Sequence, residues 1–137
     1  MKAGVDVVAV ERVSALLARR RGFLARVFTD REISDSLRGG VSLTSATAAA
    51  RLAARFAAKE AARKALDTVL AWRDVEVRTA SDGAPTLWVR GVRATASLSL
   101  AHDGGIAVAL VIADPLQDHG RTGGGREPTR PAAQKED

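Results

Sequence analysis

The apolar positions change period several times along the chain, and each change marks an element. From Gly4 to Val10 the residues Val5, Val7, Val8 and Val10 are β-branched and nearly continuous, the pattern of a strand covered on both faces. Asp6 interrupts it, and by two-residue alternation shares a face with Val8 and Val10, which predicts a partly buried carboxylate. Val13, Leu16 and Leu17 then recur at helical spacing from Glu11 to Arg20, and Gly22 ends that helix. A short helix carries Phe23, Leu24 and Val27. Thr29-Asp30-Arg31-Glu32 has the form of a capping box and opens a third helix, with Ile33 and Leu37, that stops at Gly39-Gly40.

The segment from about Ser45 to Leu70 is alanine-rich with helical spacing throughout, predicting one long helix. Asp74 to Thr79, Thr86 to Arg90, Ser97 to Ala101 and Ile106 to Ile112 alternate or are rich in β-formers, so they read as strands. Ser81-Asp82-Gly83-Ala84-Pro85 and Asp103-Gly104-Gly105 carry the turn chemistry that joins strands as hairpins. Gln117 to Asp137 is rich in Gly, Pro and charge with almost nothing apolar, and is expected to be a disordered tail behind a domain of residues 1–116.

Composition narrows the chemistry. A length of 137 residues with 46% hydrophobic and 27% charged residues fits one globular domain with its own core. No run approaches the ~18 apolar residues of a membrane span, and Asp6 lies where a signal peptide is apolar, so the expected compartment is the cytoplasm. The chain has no cysteine, so any metal must be held by oxygen or histidine. A net charge of +5 favours an acidic partner. Three Phe, two Trp and no Tyr supply little for base stacking, which lowers nucleic acid in the ranking.

Three elements carry polar groups that an ordinary core would not. Asp6 in its valine strand is either a ligand or a buried carboxylate bonded to backbone. Phe56, Glu60 and Lys64 lie four apart on one stripe of the long helix, where Glu60 and Lys64 form either half of a site or a plain surface pair. His102 closes the strand Leu98-Ser99-Leu100-Ala101, in a structural or a functional role. Taken together, two carboxylates from separate elements suit Mg²⁺, which binds one or two carboxylates and completes its shell with phosphate oxygens and water. A lysine and a histidine beside them are the groups that phosphoryl-type transfer uses to neutralise charge.

At this point the residues resemble a known family. Gly4-Val5-Asp6-Val7-Val8-Ala9-Val10-Glu11-Arg12-Val13 is similar to the opening signature of holo-acyl-carrier-protein synthases. Leu24 to Glu32, the segment Arg55-Phe56-Ala57-Ala58-Lys59-Glu60-Ala61-Ala62-Arg63-Lys64, and Ser99 to Asp103 with Ile106 to Ala109 resemble its later motifs, in family order. The likeness covers about residues 3–113. It implies an α+β fold of the 4′-phosphopantetheinyl-transferase type, an antiparallel sheet packed on a long helix, with active sites between the subunits of a homotrimer. It further implies that Asp6 and Glu60 bind Mg²⁺ and, with Lys64, carry catalysis, and that Lys64, Arg55, His102 and Asp103 hold coenzyme A. The acceptor would be a serine of an acidic apo acyl carrier protein, met by Arg12, Arg19 and Arg26. Neither nucleic acid nor membrane is an implied partner.

The chain also departs from the family. Asp67 to Trp72 replaces a longer glycine-containing loop, Val92 to Ala96 is short, and Ala101 stands where a hydroxyl residue is usual. These changes leave open a second reading, a non-catalytic adaptor that binds carrier proteins on the same fold.

Overall fold

The structure is a computed structural model that describes residues 1–116; the tail expected from Gln117 onward lies outside the described residues. Its order is β1 (Lys2–Ala9), α1 (Val10–Arg19), α2 (Phe23–Val27), α3 (Asp30–Ser36), α4 (Ala46–Leu66), a 3-10 turn (Trp72–Asp74), β2 (Val75–Thr79), β3 (Pro85–Val89), β4 (Val92–Arg93), β5 (Ala96–Asp103) and β6 (Ile106–Ala113). The α+β class agrees with the sequence reading, but the expected single sheet resolves into two antiparallel ones, ordered β1-β6-β5 and β2-β3-β4. None of the described helices is long and apolar enough to cross a membrane.

Helix α4 is the axis of the molecule. Its alanines at 48, 49, 53, 54, 57, 58, 61, 62 and 65 are buried, because small side chains let strands and helices pack on every side of it. Gly4 shows how close that packing is: a Cβ there would lie 2.0 Å from the carbonyl oxygen of Ala61, so only glycine fits. The helix ends four residues before the expected Leu70. Asp67 takes the left-handed conformation (φ 51°) at the C-cap, a place glycine usually fills, and its carboxylate is held by Lys2. That ion pair keeps the Asp67 carboxyl below the ordinary carboxylate range.

The capping box forms as the sequence predicts, with Thr29 Oγ1 accepting from the Glu32 N–H and Glu32 Oε1 from the Thr29 N–H. Glu32 does more than cap. It is fully buried, its Oε1 also accepts from Lys59 Nζ at 2.5 Å, and its Oε2 accepts from the Val77 N–H at 2.9 Å. One carboxylate thus joins α3, α4 and β2.

Two strand expectations need correction. The valine strand β1 is covered on one face only: Val8 is 3% exposed, while Val5 and Val7 are 54% and 59% exposed. Across the pairing Val5–Leu110 and Ala9–Ile106, the outer face of β1 and β6 is an open apolar surface. The short β4 was not legible. It is reached by a turn in which both Arg90 (φ 50°) and Gly91 (φ 79°) are left-handed, and arginine is not a residue that announces such a turn.

Candidate active site

The close approach at Gly4 sets the first cluster. Asp6 follows Gly4 by two residues on the inward face of β1, and Glu60 precedes the Ala61 that Gly4 touches, so both carboxylates belong to one β1–α4 junction. Lys64, one turn after Glu60, ties the junction: its Nζ donates to the Val5 carbonyl at 3.0 Å and to Asp6 Oδ1 at 3.4 Å. The Asp6 side chain is 21% exposed, as the alternation predicts, and Lys64 is largely exposed. Such a pair is worth only about 0.2–1 kcal/mol, so a divalent ion can displace the lysine. Glu60 makes no hydrogen bond or ion pair with any of the described residues.

This donor set fits Mg²⁺. Two carboxylates with uncommitted oxygens lie at a partly exposed edge, and among the described residues no third acidic, histidine or cysteine ligand joins them. Mg²⁺ accepts that arrangement, since substrate phosphates and water complete its shell.

Next to the junction is an aromatic stack. Phe56 stacks on Trp72 with centroids 5.3 Å apart and an interplanar angle of 20°, and the Arg63 guanidinium lies 4.3 Å from the Trp72 centroid. Arg63 is three residues after Glu60, where an ion pair would contribute about 0.2–0.5 kcal/mol. Stacking on tryptophan contributes about 0.5–1 kcal/mol or more, and it is the partner Arg63 takes.

A second cluster occupies the opposite flank of α4. At about 100° per residue, Glu60 and Lys64 project about 140° and 180° around the helix from Arg55. There Arg38, Arg51, Arg55, Thr79, Gly83 and His102 line a cavity of about 310 Å³. Arg55 donates to Thr79 Oγ1 at 3.4 Å and to the Arg51 carbonyl at 3.3 Å, while its Nε is buried without a partner among the described residues. Burial lowers the Arg55 pKa, opposed by Asp35 and Glu32. Three guanidinium groups around one cavity, one with an unspent N–H, make an anion site. Arg55 and His102 both line it. Asp103 does not line it and is exposed at the end of β5.

Sequence reasoning missed Arg38, Arg51 and Thr79. Arg51 was within reach, being one turn before Arg55. Arg38, in the turn after α3, and Thr79, at the end of β2, arrive from distant segments and left no local signal, and Gly83 was read only as a turn residue. Arg12 and Arg19, seven apart, share an exposed face of α1, and Arg26 is exposed on α2.

A sequence profile described as the 4′-phosphopantetheinyl transferase superfamily matches residues 2–111. The chain belongs to that superfamily. This transferase is 44% identical over 122 residues to a holo-[acyl-carrier-protein] synthase of Frankia alni, covering 81% of the chain and 94% of the relative. It is 40% identical over 112 residues to the enzyme of that name from Thermodesulfovibrio yellowstonii, covering 80% of the chain and 94% of the relative. Among solved structures it is similar to the Bacillus anthracis holo-(acyl-carrier-protein) synthase in complex with CoA (3′,5′-ADP), with TM-score 0.70 and 28% identity over 84% of this chain and 96% of that one. The transferase therefore has the fold that its four sequence motifs implied.

Proposed function

We propose that this transferase moves the 4′-phosphopantetheine group of coenzyme A to a serine hydroxyl of an apo acyl carrier protein, in a Mg²⁺-dependent reaction in the cytoplasm. The observation that carries the reading is the β1–α4 junction, where Asp6 and Glu60 come from separate elements, with Lys64 bonded to Asp6 and Glu60 uncommitted among the described residues. Asp6 and Glu60 would hold the ion. Bound there, Mg²⁺ supplies charge neutralisation for the diphosphate.

The remaining roles belong to the chain. Lys64, held to Asp6 by a weak exposed pair, is free to turn to the leaving phosphate. The serine hydroxyl gives its proton to solvent water as its oxygen attacks the phosphorus bonded to pantetheine, the bond from that phosphorus to the bridging oxygen breaks, and adenosine 3′,5′-bisphosphate leaves with the bridging oxygen. The Arg38/Arg51/Arg55/His102 cavity suits the phosphorylated nucleotide end of coenzyme A, and the Arg12, Arg19 and Arg26 face suits an acidic carrier helix.

In one chain the two clusters point to opposite sides of α4. A single coenzyme A meets both only if the cavity of one copy faces the junction of another. The open apolar surface of Val5, Val7, Ile106 and Leu110 is what such a copy would cover, so we assign the working form as a homotrimer with sites between subunits.

The test is incubation of the protein with coenzyme A, Mg²⁺ and apo carrier protein, followed by intact mass, with light scattering for the oligomer. A gain of one phosphopantetheine that EDTA abolishes supports the reading. Carrier binding with no mass gain across several carriers would favour the adaptor instead.

A further inference from the structure

We propose that Trp72 is a positioning residue that keeps Arg63 off Glu60, so that the glutamate stays open for a divalent ion. The inference rests on the reading of Glu60 as a metal ligand. Glu60 and Arg63 are three apart on one helix face, the spacing at which a glutamate and an arginine ordinarily pair. They do not pair here: the Arg63 guanidinium lies 4.3 Å from the centroid of Trp72, and no ion pair links it to Glu60. The indole is well placed for this. Its other neighbour is the Phe56 ring, stacked at 5.3 Å, and Phe56 packs on Phe23 at 6.1 Å.

The turn carrying Trp72 is itself fastened on both sides. The Ala71 N–H donates to Asp74 Oδ2 at 3.0 Å, Asp74 pairs with Arg90 at 3.6 Å, and Arg73 pairs with Asp30 at 3.7 Å. The shortened Asp67–Trp72 segment therefore delivers an aromatic face to Arg63, which has no acidic partner among the described residues. Lys64, the other basic side chain one turn from Glu60, is directed to Asp6 and the Val5 carbonyl instead.

The experiment is Mn²⁺ titration of the full chain by electron paramagnetic resonance, with circular dichroism to confirm folding. Trp72→Leu keeps an apolar cover on Phe56 but removes the π face. Arg63 then turns to Glu60, competes with the ion and repels it, and Mn²⁺ affinity falls about fivefold. Trp72→Phe, which retains a ring, stays within about twofold of wild type. Adding Arg63→Gln to Trp72→Leu restores wild-type affinity, an outcome that loss of packing alone would not give. The proposal is overturned if Trp72→Leu binds Mn²⁺ as wild type does, if the double variant is as weak as Trp72→Leu, or if Arg63→Gln alone weakens binding. A wild-type protein that takes up no Mn²⁺ overturns the metal assignment, and this proposal with it.

Discussion

Lys59 and Glu60 are sequence neighbours on α4, and they meet opposite fates. Lys59 turns into the core, where Glu32 meets it, and both oxygens of that glutamate are spent on α3, α4 and β2. Glu60 turns to the edge of β1, with an open carboxylate one turn from a lysine that is only loosely held. A charge whose partners are complete and dry holds architecture together, since nothing else can reach it. One left half-satisfied at an accessible junction is available to a ligand. The position of each residue on the helix decides which it becomes, and residue type alone does not.

The largest effect that would sharpen this contrast is expected from Lys59→Met, which strands the Glu32 charge in the core and costs about 3–5 kcal/mol in urea unfolding. Unfolding at increasing pH gives the sign independently. Burial lowers the Lys59 pKa below its ordinary 10.5, against the pull of Glu32, so between the two values the unfolded chain binds more protons. Lys59 therefore contributes a rise in stability as pH climbs toward 10.5, and Lys59→Met removes that rise.

Glu60→Gln should do the reverse. Transfer falls about 10²–10³-fold, the scale of losing one electrostatic group at a reacting centre, while stability changes by no more than about 0.5 kcal/mol. A Glu60→Gln protein that melts as early as Lys59→Met would erase the distinction between the two sites.

Gly4→Ala probes the junction without touching a charge. Its methyl meets the Ala61 carbonyl, so β1 must lift, with a loss of about 1–3 kcal/mol and a drop in transfer as Asp6 moves away from Glu60. Full activity in this variant would show that the closeness of β1 and α4 is irrelevant to the site.

The smallest change is expected from Arg12→Gln with Arg19→Gln on the exposed face of α1. KM for the carrier should rise about fivefold and lose much of its salt dependence, while kcat and melting temperature hold. A fall in kcat at saturating carrier would move these arginines out of a docking role.

The sequence by itself determined the helices, the hairpins, the capping box at Thr29 and the motif residues Asp6, Arg55, Glu60, Lys64 and His102, because periodicity, turn chemistry and short motifs are local signals. It did not disclose that Glu32 is the partner of Lys59, for that pair is 27 residues apart in the chain. Nor did it disclose that β1 is open on its outer face, since a valine run reads the same whether its second cover is its own chain or another copy. The split into two sheets, the arrival of Arg38 and Thr79 beside Arg55, and the capture of Arg63 by Trp72 were likewise decided only in three dimensions. Each depends on distant segments packing around one small-residue helix, and single-residue propensities carry no record of which segments those are.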